Sequence, residues 1–308
     1  MATIATLSAA NRVEASASAP FIDGYWWSHD GLRLHYRDYP GPDDANVAPV
    51  ICIPGLTRNA RDFEDVAPRL AQRRRMLAID LRGRGESGFA GDPLTYVPLT
   101  YAQDISLLLD SLVLERVAVI GTSLGGIVAM MLGSITPARV SGVVLNDVGP
   151  MIEPAGLARI RSYVGQGGTH RTWIHAAQRF AELADPQRFP SYRLEDWLRL
   201  VKRSYRLTRE GRIAPDYDAK ISEPFRVPGG EAGVDLWPAL AGLAPDPVAV
   251  VRGANSDILS VETANEMLRR LPHGVLVTVP DTGHAPTLEE PDAAAAIDAL
   301  LDRADANA

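Results

Sequence analysis

A short apolar run, Val-Ala-Val-Ile at 117–120, leads directly into Gly121-Thr122-Ser123-Leu124-Gly125. Another apolar run of helical length follows at 126–132. A strand, Gly-x-Ser-x-Gly and a helix in this order predict a sharp turn that presents the Ser123 hydroxyl above the strand end. Larger side chains at the two glycines would collide with backbone in so tight a turn. The helix N-terminus also favours negative charge beside Ser123, so we predict that this serine is a nucleophile.

Short apolar runs elsewhere in the chain predict further strands. Wholly apolar strands are typical of parallel sheets that are covered on both faces, and the runs lie at 50–53, 76–80, 143–145, 248–251 and 275–279. Alternating segments around Asp30-Gly31 predict an antiparallel hairpin at the N-terminus. Helical patterns separate the later strands, and Thr100 with Gln103 fits a helix-starting capping box. The sequence therefore predicts an α/β fold with a mostly parallel sheet and helices on both faces.

The alternation of strands and helices stops at about residue 150. From there to about 235 the sequence shows helical spacing of aromatic and apolar residues and no strong strand, which predicts an inserted helical lid. The predicted core is then 21–149 together with 236–308. Residues 1–20 are rich in Ala and Ser without a basic start or an apolar core, which indicates a flexible tail and not a signal peptide.

The bulk composition excludes several classes of protein. The formal charge of −7 over 308 residues argues against a nucleic-acid-binding surface. No apolar run approaches the roughly 18 residues of a membrane span. Cys52 is the single cysteine and cannot form a disulfide within the chain, so a cytoplasmic enzyme is expected. No Cys/His spacing for a metal is present, and Gly-x-Gly-x-x-Gly at 83–88 leads into a loop instead of a nucleotide-binding helix. We expect neither a metal nor a cofactor.

A nucleophilic serine needs a base, and the base needs an acid that orients it. His284 follows the last predicted strand, and Asp257 follows the strand before it. Loops after parallel strands meet at one edge of the sheet, so Ser123, Asp257 and His284 can come together. Asp147 also follows a predicted strand and is an alternative acid.

These segments resemble the α/β-hydrolase-fold serine hydrolases, and within them the esterases, enol-lactonases and meta-cleavage-product hydrolases. The resemblance rests on Ile53-Pro54-Gly55-Leu56, on the 80–87 turn, on the serine motif, and on the segments that end at Asp257 and start at Gly283. It implies the order Ser123, Asp257, His284, with Asp257 favoured over Asp147. It also implies an oxyanion hole made by the backbone N–H groups of Leu56 and Leu124.

The loop after the first parallel strand departs from the pattern of these relatives. They usually carry His-Gly where this chain has Pro54-Gly55. Gly55 still allows close approach of a substrate, but the orientation of Leu56 loses an expected support. Arg58 or Asn59 is then expected to anchor the loop.

The predicted reaction is hydrolysis of a small carboxylic ester or lactone through an acyl-enzyme. Gly55, Arg58, Trp173 and Trp197 are the candidate substrate contacts, although aromatic residues at helical spacing more often form the core of a lid. Hydrolysis of a C–C bond in an anionic vinylogous diketone is an alternative, for which Arg58, Arg159, Arg161 and Arg203 are candidate cations. A small-molecule receptor with the same fold, an acyltransferase and a perhydrolase remain open, as does the oligomeric state.

Overall fold

The computed structural model describes residues 20–42, 47–226 and 235–306. The predicted tail (apart from Pro20) and the loop expected around 228–230 lie outside these residues. The strands are β1 (Ile22–Trp27), β2 (Arg33–Tyr39), β3 (Val50–Ile53), β4 (Met76–Asp80), β5 (Val117–Thr122), β6 (Val140–Asn146), β7 (Tyr205–Leu207), β8 (Ile213–Pro215), β9 (Val248–Gly253) and β10 (Gly274–Val279).

Helices connect most of these strands. The α-helices are α1 (Ala67–Leu70), α2 (Pro98–Ser111), α3 (Leu124–Ile135), α4 (Pro154–Tyr163), α5 (Trp173–Ala184), α6 (Leu194–Ser204), α7 (Trp237–Ala241), α8 (Val261–Arg270) and α9 (Pro291–Ala306). Short 3₁₀ helices span Ala60–Phe63, Pro93–Thr95, Pro137–Arg139, Pro186–Arg188 and Ala219–Arg226. Helix α2 begins at Pro98, whose fixed φ suits the first helical position, so the predicted capping box at Thr100 is wrong.

Eight strands form one sheet in the order β1-β2-β4-β3-β5-β6-β9-β10. The β1–β2 and β2–β4 pairs are antiparallel, and the remaining pairs are parallel. Alternate side chains of each central strand enter different cores. In β3, Ile51 joins the core beneath α2 and α3, while Cys52 joins the core beneath α1 and α9. The prediction of a mostly parallel sheet with an N-terminal hairpin and helices on both faces is confirmed.

The hairpin is tied to the rest of the sheet through a buried histidine on β2. Nδ1 of His35 lies 2.7 Å from an Asp80 oxygen, and Nε2 lies 2.9 Å from an Asp23 oxygen. Burial alone would lower the pKa of His35, but the two carboxylates outweigh burial and raise that pKa above its ordinary value of 6.5. Asp80 also accepts backbone N–H groups from Ala60 and Glu86, so it holds the turns that border the sheet edge.

The segment between β6 and β9 carries α4, α5 and α6 and is called the insertion (Pro154–Arg226) below. It has its own small core, to which Ala177, Trp197 and Tyr205 belong. No strong strand was predicted in this segment, but β7 and β8 pair as a two-stranded antiparallel sheet. Each of these strands has only three residues, which is too short for a periodic pattern to reveal a strand.

Candidate active site

The turn between β5 and α3 is as tight as the sequence predicted. Ser123 has φ 53° and ψ −118°, a backbone conformation that residues other than glycine rarely adopt. A Cβ atom added to Gly121 would lie 2.4 Å from the Gly125 carbonyl oxygen, and one added to Gly125 would lie 2.0 Å from the Ile53 carbonyl oxygen. Both glycines are therefore required, and the strained turn places Ser123 at the carboxyl end of β5.

Ser123 and His284 are brought together although 161 positions separate them. His284 lies in the loop after β10, and its Nε2 is 2.8 Å from the Ser123 hydroxyl oxygen. Its Nδ1 is 2.7 Å from Oδ2 of Asp147, which follows β6. Ser123, His284 and Asp147 thus form one hydrogen-bonded line, the arrangement in which a base is oriented by an acid.

The carboxylate beside His284 belongs to Asp147, and the expectation that Asp257 occupies this place is corrected. Asp147 is fully buried. One of its oxygens accepts the Gly253 backbone N–H at 2.8 Å, and the other accepts the Ser256 hydroxyl at 2.7 Å. The loop after β9 was expected to supply the acid, but instead it supplies two donors that stabilise the acid from β6 as an anion. Ser256 was missed because a serine next to an aspartate carries no sequence signal of its own.

Asp257 pairs with arginines of the insertion and makes no hydrogen bond to His284 among the described residues. Nε and Nη2 of Arg159, on α4, donate to its two oxygens at 2.6 and 2.9 Å, and Nε of Arg188 lies 3.8 Å away. Burial alone would raise the pKa of Asp257, but the hydrogen bonds and charge of Arg159 outweigh it and hold that pKa below its ordinary value. Asp257 therefore fastens α4 to the loop after β9.

A cavity lies between the sheet edge and the insertion, with Ser123 and His284 in its wall. Gly55, Arg58 and Trp197 line it as predicted contacts, and Leu56 lines it as well. Trp173 packs against the core of the insertion and is not among the lining residues. The remaining wall is mostly apolar and aromatic, and includes Ile160, Tyr163, Phe180, Leu183, Phe189, Leu200, Tyr205 and Tyr217.

The two predicted oxyanion donors belong to the residue that follows Ser123 and to the loop beside it. Leu124 is the first residue of α3, and its side chain packs against the core beneath α2 and α3. The loop that contains Leu56 approaches from β3, because a Cβ atom at Gly55 would lie 3.7 Å from the Cβ atom of Ser123. The Asn59 side chain caps the following 3₁₀ helix at Arg61, so it orders the end of this loop and not Leu56 itself.

The phenols in the cavity wall stay neutral near pH 7. Burial raises the pKa of Tyr205 to about 12, with smaller effects of neighbouring charges, and burial also raises the pKa of Tyr163 and Tyr217. None of these hydroxyls is suited to act as a base near neutral pH. His284 is therefore the group in contact with Ser123 that can accept its proton.

Positive charge in the cavity wall is already paired. Arg58 donates to both oxygens of Asp62 at 2.8 Å, and Arg159 is held by Asp257. Arg203 lies 3.3 Å from Glu64 and also contacts Asp65 and Glu289. Arg161, the fourth candidate cation, is not among the lining residues. Each cation in the wall thus has a carboxylate partner, and the binding of an anionic diketone gains no support here.

Two features are absent from residues 20–42, 47–226 and 235–306. Within these ranges no group of three or more His, Cys, Asp or Glu residues is placed to hold a metal ion. No helix among them is long and apolar enough to cross a membrane.

Comparison with known proteins agrees with this architecture. The model of the alpha/beta hydrolase family matches residues 50–297. The crystal structure of an alpha/beta hydrolase from Novosphingobium aromaticivorans is 52% identical and superimposes with a TM-score of 0.88, covering 93% of this chain and 100% of that chain.

Two curated relatives are named hydrolases. The 3-hydroxybutyrate-oligomer hydrolase of Cupriavidus necator is 34% identical over 268 residues, which are 84% of this chain and 89% of that protein. The 2-(acetamidomethylene)succinate hydrolase of Mesorhizobium japonicum is 30% identical over 75% of this chain and 79% of that protein. The prediction of a carboxylic ester hydrolase is consistent with the hydrolases and esterases among the relatives, and the chain belongs to the alpha/beta hydrolase family.

Proposed function

We propose that this protein hydrolyses carboxylic esters through an acyl-enzyme on Ser123. One observation carries the proposal: the Ser123 hydroxyl, the His284 ring and the buried Asp147 carboxylate form a continuous line at the cavity wall, with contacts of 2.8 and 2.7 Å. A hydroxyl is a weak nucleophile until a base within hydrogen-bond distance removes its proton.

A proton passes between Ser123 and His284 in both halves of the reaction. His284 Nε2 takes the proton of Ser123 as the oxygen attacks the ester carbonyl, and then delivers it to the leaving alcohol. The same nitrogen then takes a proton from a water molecule that attacks the acyl carbon, and it returns this proton to the Ser123 oxygen as the acid is released. Asp147 remains ionised, keeps the second proton on Nδ1 and stabilises the imidazolium.

The negative charge that develops on the carbonyl oxygen requires preorganised donors. We assign them to the backbone N–H groups of Leu124, which follows Ser123, and of Leu56, whose loop passes close to Ser123. Loss of one such donor typically raises the barrier by about 2.7–4 kcal/mol. The insertion covers this region with apolar side chains, which excludes bulk water and strengthens the electrostatic interactions within the cavity.

The substrate class follows from the wall and from similarity. Aromatic and aliphatic side chains with paired cations fit the hydrocarbon part of a small ester better than a multiply charged substrate. The relative from Cupriavidus necator is named for 3-hydroxybutyrate oligomers. We therefore propose short 3-hydroxyacyl esters as lead substrates, with lactones as the cyclic form of the same bond. Cytoplasmic location is proposed with them.

Turnover of an ester panel by wild type and variants tests the proposal. The panel holds a 3-hydroxybutyrate dimer and trimer, p-nitrophenyl butyrate and a lactone. Ser123→Ala should lose at least about 10³-fold in kcat, since serine-triad enzymes lose far more when the nucleophile is removed. Ser134→Ala is the matched control, because Ser134 is an exposed serine at the other end of α3 and should keep wild-type rates. Equal rates in wild type and Ser123→Ala would refute the proposal. Tight binding without turnover would favour a receptor instead.

A further inference from the structure

We propose that Arg84 is a positioning residue that holds Leu56 in the orientation required of an oxyanion donor. The inference rests on the proposed function and deepens it. It also answers the question raised by Pro54 in place of the expected histidine, because neither Arg58 nor Asn59 bonds to Leu56.

Arg84 is a buried cation whose surroundings are unusual. Its side chain is fully buried, and among the residues described by the structure no carboxylate lies within 4.0 Å of its guanidinium. Its donors instead reach the carbonyl oxygens of Leu56 at 2.9 Å and Arg82 at 2.7 Å and the Tyr101 hydroxyl at 2.9 Å. Its Nη2 atom has no hydrogen-bond partner within the described part of the chain. Burying a charge without a counter-ion destabilises the folded protein, so stability alone does not explain an arginine at this position.

The hydrogen bond from Arg84 completes the fixation of Leu56. The Gly55 carbonyl accepts the Arg58 backbone N–H at 3.1 Å, which fixes the peptide plane on the N-terminal side of Leu56. The Leu56 carbonyl accepts Arg84 Nε, which fixes the plane on the C-terminal side. In a trans peptide the N–H points opposite to the preceding carbonyl. The Leu56 N–H therefore points out of the turn that the Gly55–Arg58 hydrogen bond closes. This loop passes beside Ser123.

Aromatic rings take the place of a counter-ion around Arg84. Its guanidinium carbon lies 5.6 Å from the centroid of the Tyr96 ring and 5.0 Å from that of Tyr101. Rings stabilise a cation without competing for its N–H groups in the way a carboxylate does. Arg84 therefore keeps its Nε donor for the Leu56 carbonyl.

The insertion also contacts the turn that carries Arg84. The Gly85 N–H donates to the Asp216 carbonyl at 3.2 Å, and the Asp218 N–H donates to the Gly83 carbonyl at 2.8 Å. Between them, Arg84 and Tyr217 form an antiparallel bridge, and Tyr217 lines the cavity. The placement of Leu56 thus depends on the same backbone that closes the cavity.

Discrimination between an ester and its thionoester measures the oxyanion hole directly. Sulfur accepts N–H donors poorly, so an intact hole favours the oxygen ester, and the ratio of the two kcat/KM values does not depend on the folded fraction. We expect Arg84→Met to lower kcat for the oxygen ester by about 10–100-fold, up to the effect of losing one donor, and to lower the oxygen-to-sulfur ratio in parallel. Arg84→Lys, which keeps a cationic donor, should restore most of the ratio.

The control is Arg74→Met. Arg74 is a buried arginine that donates to the Ala48 carbonyl and pairs with Asp305. It lies just before β4, at the amino ends of the parallel strands, whereas Ser123 lies at their carboxyl ends. Its ratio should match wild type. An unchanged ratio in Arg84→Met overturns the inference, as does a ratio that falls equally in Arg84→Met and Arg74→Met. If Ser123→Ala retains turnover the proposed function fails, whereas loss in Ser123→Ala with an unchanged ratio in Arg84→Met refutes only the role of Arg84.

Discussion

Replacing Asp147 and Asp257 by asparagine, one at a time, separates the acid of the catalytic line from the carboxylate that fastens the insertion. Asp147→Asn keeps the volume of the side chain and its contact with the Gly253 N–H. It places an amide beside Nδ1 of His284, which favours the tautomer with the proton on Nε2. That tautomer cannot accept the Ser123 proton. The same replacement in a serine protease triad lowers kcat by about 10⁴-fold, which corresponds to about 5.5 kcal/mol of barrier.

Asp257→Asn has the opposite pattern of effects. The Asp257 side chain is 5% exposed and the Arg159 side chain 19%, so the carboxylate is buried and its cationic partner is partly accessible to solvent. Removing one partner of a buried pair costs about 3–5 kcal/mol, and the partial exposure favours the lower end. We expect Tm to fall by about 5–10 °C, while kcat falls less than about 10-fold.

Steady-state kinetics and thermal melting of the two variants at pH 7.5 make the comparison. We expect a large loss of kcat with little change in Tm for Asp147→Asn. For Asp257→Asn we expect a lower Tm with little change in kcat. A loss of about 10⁴-fold in Asp257→Asn with near wild-type turnover in Asp147→Asn would show that the loop after β9 supplies the acid after all. The assignment argued from the 2.7 Å contact of His284 would then be refuted.

Three more outcomes are expected. Ser256→Ala removes a hydrogen bond to the Asp147 carboxylate, so kcat should fall by about 10–100-fold with KM unchanged, and steady-state rates equal to wild type would exclude this role. Gly125→Ala forces a methyl group into a β3 carbonyl oxygen, so urea unfolding should show a loss of about 2–4 kcal/mol, and an unchanged midpoint would contradict the tight turn. His35 has a raised pKa, so it stabilises the fold fully below pH 6.5 and this contribution is lost as pH rises through the raised pKa. Wild type should therefore lose its stability advantage over His35→Gln as the pH rises from 6.5 through the raised pKa, whereas a constant difference in urea titrations would refute the reasoning.

The main sheet could be predicted because its strands are short, wholly apolar and separated by helical patterns. Buried strands such as β3 and β4 have no alternative that buries so many β-branched and aliphatic side chains. The hairpin β7–β8 could not be predicted in the same way. Its residues are few and partly charged, and its pairing depends on packing within the insertion.

Ser123 could be predicted because its tight turn requires glycines on both sides, and His284 because it follows the last strand of the sheet. The acid could not, because Asp147 and Asp257 both follow parallel strands and both reach the same edge of the sheet. What separates them is a side-chain partner 98 positions away, Arg159, which only the folded chain brings to Asp257. The role of Arg84 was hidden for a similar reason, since the Gly-x-Gly turn around it predicts only a loop.

Covalent labelling of the native protein shows which side chain is the nucleophile. A fluorophosphonate reacts with a serine that a neighbouring base has activated, and peptide mapping by mass spectrometry locates the adduct. We predict one adduct per chain, on Ser123, together with loss of ester turnover in proportion to labelling. Labelling of another residue with the same loss of activity, or full inhibition with Ser123 unmodified, would contradict the account.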